Sequence, residues 1–214
     1  MLSVSHLSKS FNCRPVLADI TFEIATGETV VFMGKNGAGK STLLRILARI
    51  MACDKGEVIF QNHDLLKGAP TARKNLLYIG HASGMYSALS AIENLSLALR
   101  LRGMHTSKEI IIEALTQYGL FDQKHDPIAI YSQGMLQRLK LTYAELAEWT
   151  LLLMDEPFSG LDDDGAKLMH DAILQWKSEA QSLCLILHDE AKGKLYGDRI
   201  LRIENGEIQE SLCF

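Results

Sequence analysis

The chain reads as an α/β fold whose core is interrupted by a helical segment at roughly 82–149. Three observations predict this. Short, partly alternating apolar runs separated by turns fill the first 60 or so residues. Amphipathic helical patterns fill the middle. Continuous apolar runs return at Thr150 to Met154 and Leu183 to Leu187, as expected of strands buried on both faces.

The elements follow in order. Leu2 to Leu7, Val16 to Ile24, Thr29 to Met33 and Glu57 to Phe60 are predicted strands, with turns at Thr26-Gly27-Glu28 and Asp54-Lys55-Gly56. A helix is expected from Lys40 to about Met51. Ser90 to Arg102 opens with Ser90 as N-cap and Glu93 three residues on, a capping box. Ser107 to Tyr118 places Ile111, Ala114, Leu115 and Tyr118 on one face. Pro127 interrupts the helical character, and a third helix is expected from about Gln133 to Trp149. Ala166 to Lys177 reads as a helix, and Asp198 to Ile208 as a hairpin turning at Asn205-Gly206.

Composition narrows the function classes. A chain of 214 residues with 47% hydrophobic content builds one full α/β core. The net charge of −4 leaves no basic surplus for a nucleic-acid backbone, so no direct nucleic-acid partner is expected. Cys13, Cys53, Cys184 and Cys213 are far apart and lack metal spacing, which fits a reducing cytoplasm; Cys184 reads as a small buried hydrophobe. No run approaches the ~20 apolar residues of a spanning helix, and Met1 to His6 lacks the pattern of a signal peptide. Action at a membrane would therefore need another chain.

The strongest motif is Gly34-Lys35-Asn36-Gly37-Ala38-Gly39-Lys40-Ser41-Thr42, which fits G-x-x-x-x-G-K-[ST] between a predicted strand and a predicted helix. Glycines let backbone N–H groups curl around phosphates, Lys40 reaches the outer phosphates, and Ser41 offers a hydroxyl to Mg²⁺. The helix start adds partial positive charge there. The second motif is Leu151 to Pro157, a buried strand ending in Asp155 and Glu156. Asp155 would hold Mg²⁺, and Glu156 would orient the water attacking a γ-phosphate. Taken alone, it could be a strand ending at a solvated acidic turn. Tyr131 to Arg138 is a polar turn leading into a helix, with Ser132 as N-cap at a second potential anion site; an ordinary helix start is the plainer reading. His188 follows a core strand and could touch a γ-phosphate, or be a solvated strand-end residue.

Together these motifs resemble the nucleotide-binding subunit of ABC transporters, in order and over nearly the whole chain. Gly34 to Thr42 and Leu151 to Glu156 match its two phosphate motifs, and Tyr131 to Met135 looks like its signature. Ser159 to Asp162 and His188 look like its following loop and switch histidine. The resemblance implies a P-loop NTPase cassette with an N-terminal antiparallel β subdomain and an inserted helical subdomain. It implies one domain over 1–214, with an α/β core from 1–81 and 150–214 and a helical subdomain at 82–149. It also implies ATP and Mg²⁺ as ligands, and a head-to-tail dimer. Each ATP would lie between one chain's phosphate loop and Ser132 and Gly134 of the other, with Phe11 stacked on adenine. The bland alternative for Ser3 to Phe11 is a surface hydrophobic edge. A separate membrane permease would dock near residues 81–95, Met85, Tyr86 and Leu89 included, placing the chain at the cytoplasmic face of the inner membrane.

Two departures stand out. His81 occupies the place of a Gln that would contact Mg²⁺ and the attacking water, and Tyr131, Gln133 and Met135 differ from the usual signature. Leu76 to His81 followed by Leu89 to Leu95 is similar to the ATPase subunit of cytochrome c maturation haem exporters. The signature also resembles exporters of drugs, lipids and polysaccharides. Two other readings stay open at this stage. One is a soluble ATP-driven clamp, disfavoured because Ser41 and Ser132 are only 91 residues apart (132 − 41), which leaves no room for a long coiled coil. The other is a cassette that closes on ATP but hydrolyses it poorly.

Overall fold

The computed structural model describes residues 1–82 and 84–212 and divides into two compact units. The first comprises residues 1–80, 149–156 and 173–214; the second comprises residues 81–148 and 157–172. Residues 157–172, which the sequence reading places in the α/β core, thus group with the helical unit.

The first unit holds two sheets. In one, β2 (Arg14–Ile24), β1 (Leu2–Phe11), β4 (Lys55–Phe60) and β5 (His63–Asp64) lie antiparallel in that order. β1 is therefore an inner strand with Leu2, Val4 and Leu7 buried, not the surface edge considered for Ser3 to Phe11. The second sheet runs β10 (Glu207–Leu212), β9 (Arg199–Glu204), β3 (Thr29–Met33), β8 (Ser182–Ile186), β7 (Leu151–Asp155), β6 (Leu76–Ile79). All its pairs are parallel except β9–β10, a hairpin that turns at Asn205 and Gly206, both at positive φ. Every residue of β3, β7 and β8 is buried, as the continuous apolar runs require.

The register decides where the chemistry converges. Phe32 on β3 and Asp155 on β7 both pair with Ile186 on β8. Three strands distant in sequence therefore end level, and the loops leaving them start from the same edge. That edge is the carboxyl end of a parallel sheet, where α/β folds place ligands.

Helix ends depart from expectation for identifiable reasons. α1 (Lys40–Leu47) stops four residues before Met51 because Arg49 adopts the left-handed conformation (φ 57°). The Arg49 and Ile50 amides donate back to the Ile46 and Arg45 carbonyls, a Schellman closure without its usual glycine. Elements β5, β6 and α6 (Glu190–Tyr196) are absent from the sequence reading. The signal for α6 was Asp189, whose carboxylate accepts from the Ala191 and Lys192 amides.

The second unit contains α2 (Ala91–Leu101), α3 (Lys108–Gln117), α4 (Gln133–Leu146) and the start of α5 (Asp163–Ser178). Ser90 and Glu93 form both halves of the capping box on α2, Ser107 caps α3, and Ser132 caps α4. Ile111, Ala114, Leu115 and Tyr118 are all buried, as their spacing predicts. Pro127 precedes a short 3₁₀ turn over Ile128–Ile130. α4 ends before Trp149 because the chain turns extended at Ala147. Trp149 instead packs edge-to-face on Trp176 in the first unit, with ring centroids 5.4 Å apart.

Candidate functional site

The loop from Gly34 to Gly39 joins β3 to α1 and can be traced residue by residue. Gly34 (φ 141°) has no room for a side chain, since a Cβ there would lie 2.4 Å from the Ile203 carbonyl. Gly37 (φ 82°) faces open space. Asn36 is exposed and Ala38 half-buried, and the Ala38 amide donates to the Lys35 carbonyl at 3.1 Å. Gly39 (φ 103°) begins α1 with no side-chain cap, and the first turn of α1 carries no acidic residue. The amides at that helix start are thus presented by a loop that offers nothing to neutralise them, the condition for holding an anion.

Lys40 is buried, and its ammonium donates to the Gly34 and Lys35 carbonyls at 2.7 and 2.9 Å. Burial pulls its pKa below the usual lysine value, opposed by the negative charges of Glu156 and Asp155. Ser41 and Thr42 follow in the first turn, and Ser41 Oγ donates to Asp155 Oδ1 at 3.1 Å across 114 residues. Asp155 is 3% exposed, and its second oxygen, Oδ2, has no hydrogen-bond partner. A buried carboxylate oxygen left unpaired beside a serine hydroxyl suits a hard cation that takes oxygen donors, so these residues fit Mg²⁺.

Glu156 stands one residue beyond β7 with φ 54°, a left-handed conformation uncommon for glutamate. Its Oε1 lies 2.8 Å from Nε2 of His188, which is two residues past β8. Beneath them Cys184 is fully buried, and burial raises its thiol above the usual range, followed in effect by the Asp155 charge; it behaves as the small hydrophobe expected. Tyr78 on β6 is also held protonated well into the alkaline range by burial, with Arg45 of α1 as its hydrogen-bond partner. The sequence reading missed the Tyr78–Arg45 pair, because no local pattern joins a β6 side chain to one on α1.

Phe11 ends β1 as a residue 43% exposed, with Lys9 Nζ 5.3 Å from its ring centroid. Such a ring is open to stacking.

The second unit carries the other predicted residues. Ser132 is exposed and its Oγ accepts from the Met135 amide at 3.2 Å, while Gly134 is half-buried, with space for a Cβ only 3.3 Å from the Gly160 carbonyl. Gln137 donates to the Ser159 carbonyl at 3.1 Å. Arg138 grips both oxygens of Asp162 at 2.7 and 2.9 Å, holding that carboxyl below its usual range. The signature segment and the Ser159 to Asp162 loop are therefore pinned together. His81 is exposed, and its carbonyl accepts from Lys140 Nζ at 2.8 Å. Within the segment proposed for docking, Tyr86 is 61% exposed and Met85 half-buried. That loop is organised by Asn94, 3% exposed, which accepts from the Tyr86 amide and donates to the Tyr86, Leu89 and Ser90 carbonyls. Sequence reasoning gave Asn94 no role of its own. Among the described residues, no cluster of three or more His, Cys, Asp or Glu is arranged to hold a metal, and no helix is long and apolar enough to cross a membrane.

Comparison with known proteins agrees with this geometry. The family described as ABC transporter matches residues 17–159. The cytochrome c biogenesis ATP-binding export protein CcmA of Cupriavidus pinatubonensis is 36% identical over 173 residues, covering 81% of this chain and 76% of that one. Its counterpart from Vibrio cholerae is 31% identical over 190 residues, covering 89% and 92%. A solved structure described as the ATP-binding subunit of an ABC transporter superposes with a TM-score of 0.90 at 28% identity, covering 99% of this chain and 90% of that one. With its phosphate loop, its buried aspartate and its adjoining glutamate on aligned strand ends, the chain belongs to the ABC transporter family, as one of its ATPases.

Proposed function

We propose that this ATPase powers an export system of cytochrome c biogenesis, of the haem-exporter type, through a separate membrane permease. The support for the system is the run of curated relatives named for cytochrome c biogenesis export, together with the segments Leu76 to His81 and Leu89 to Leu95. The observation that carries the chemistry is the level ending of β3, β7 and β8, which brings Lys40, Ser41, Asp155, Glu156 and His188 to one edge of one sheet.

In this reading the amides of Gly34 to Thr42 hold the ATP phosphates, and Lys40 exchanges its two loop carbonyls for phosphate oxygens. Ser41 and Asp155 would hold Mg²⁺, which when bound neutralises phosphate charge. Glu156 orients the attacking water and draws off its proton. His188, hydrogen-bonded to Glu156, donates toward the γ-phosphate and reports its presence. Phe11 stacks on adenine. Ser132 and Gly134 act on the ATP of a second cassette in a head-to-tail dimer, which closes on ATP and reopens after hydrolysis. His81 takes part in hydrolysis in the place of glutamine. The loop from 81 to 95, with Tyr86 outward, receives the permease, and through it the chain works at the cytoplasmic face of the inner membrane.

The test is affinity purification of the tagged chain from native membranes, with mass spectrometry of the proteins that accompany it. A small multi-helix permease together with haem-handling maturation proteins is expected. The signature Tyr131 to Met135 favours a second reading, export of a drug, lipid or polysaccharide, and recovery of such a permease would establish it in place of the first. Recovery of ribosomes or DNA without a membrane protein would overturn both. In the purified chain, Lys40→Ala should abolish ATP binding; retained tight binding would contradict the phosphate-loop assignment.

A further inference from the structure

Lys140 lies two turns into α4 and is 4% exposed. Burying an ammonium is unfavourable unless acceptors meet its donors. One acceptor is the backbone carbonyl of His81, 2.8 Å from Nζ and 59 residues upstream. The bond is to the main chain, so it sets where His81 sits whatever side chain that residue carries. An apolar side chain of the same length would fill the same space without removing a charge from water. What the charge adds is a directed, charge-assisted bond to one fixed point on the loop.

The same helix begins at Ser132, and one turn before Lys140 its Gln137 holds the Ser159 carbonyl. α4 thus starts at Ser132, read above as acting on phosphate, and grips the backbone of two further loops from its middle. All of these contacts lie inside the second unit.

We propose that Lys140 is a positioning residue: it ties the His81 segment to the Ser132 helix, so that both residues are presented to nucleotide as one body. The inference rests on the reading of His81 as a participant in hydrolysis. Lys140 itself touches no phosphate. Its role is that a movement of α4 carries His81 with it, so that engagement of Ser132 and placement of His81 happen together.

The test compares the wild-type chain, Lys140→Met, His81→Ala and the double variant by steady-state ATPase kinetics over ATP and Mg²⁺ concentration. Lys140→Met is expected to lower kcat roughly tenfold or more, the scale on which a misplaced group acts, while KM for ATP stays within about twofold. In the His81→Ala background the same change should have no further effect on kcat, because the group it positions is gone. A purely structural lysine would instead lower melting temperature and spare kcat of the folded protein. If His81→Ala slows turnover but Lys140→Met does not, the proposal falls and the role of His81 stands. If Lys140→Met slows turnover equally with and without His81, Lys140 acts elsewhere and the proposal falls. If His81→Ala turns over like wild type, the reading of His81 fails and the proposal fails with it. Should Lys140→Met not fold, Lys140→Gln, which removes the charge but keeps a polar group, takes its place under the same criteria.

Discussion

His188 Nε2 lies 2.8 Å from Glu156 Oε1, and Glu156 holds a left-handed backbone (φ 54°) at the end of β7 where it makes that contact. The two residues are 32 apart in sequence and meet because β7 and β8 are neighbours in register. A strained backbone at a paired carboxylate is a pattern that clusters at reacting groups.

Replacing Glu156 with glutamine keeps shape and hydrogen bonding but removes the carboxylate proposed as the base. Glu156→Gln is expected to lower steady-state phosphate release by about 10²-fold or more, the contribution typical of a positioned base, while ATP binding persists. ATP-bound dimers should accumulate on size exclusion. Unchanged turnover in this variant would remove Glu156 from the chemistry.

Gly34 and Gly37 belong to one loop but should respond differently to alanine. At Gly34 the added carbon would meet the Ile203 carbonyl at 2.4 Å in a conformation few side chains adopt, so Gly34→Ala should destabilise by more than about 3 kcal/mol. At Gly37 the space is open and only the positive φ is penalised, so Gly37→Ala should cost about 1–2 kcal/mol of stability. Denaturant titration separates them. Equal effects would mean that the Gly34 contact with β9 does not hold in solution.

Asn94→Ala removes a buried amide that serves four backbone groups of the Tyr86 to Ser90 loop. Leaving such groups unpaired should cost about 2–3 kcal/mol. Hydrogen exchange should speed up first in residues 84–90, the proposed docking surface. Unaltered exchange there would show that the capping box alone holds the loop.

Ala180 ends α5 in the left-handed conformation (φ 56°), with its own amide and that of Gln181 donating back to the Lys177 and Trp176 carbonyls. This is the glycine position of a Schellman closure, filled by alanine. Ala180→Gly should stabilise by about 0.5–1 kcal/mol, visible as a rise of about 1–4 °C in melting temperature, with ATPase activity unchanged. A fall in melting temperature would mean that the entropy of the added glycine outweighs the relief of strain.

Much of the site was legible because phosphate chemistry demands contiguous residues. Gly34 to Thr42 must be one loop if its amides are to face one ligand, and Asp155-Glu156 must follow one buried strand, so both stand as words in the sequence. The caps Ser90, Ser107 and Ser132 were legible for the same reason, since a cap acts within three residues. The end of α1 was not, because the left-handed residue there is Arg49 rather than glycine. Nor were the anchors of the second unit. Nothing local joins Arg138 to Asp162, Gln137 to Ser159 or Lys140 to His81.

By itself the sequence determined which residues the proposed chemistry calls on: a glycine-rich loop and helix start read as a phosphate site, a hydroxyl and a carboxylate read as a seat for a hard cation, and a second carboxylate beside them. The tertiary structure alone decided that these groups meet. Ser41 reaches Asp155 across 114 residues only because β3, β8 and β7 lie side by side and end level at Ile186. Strand order and register are set by how the whole apolar core packs, a sum over many distant contacts that no short window of sequence contains.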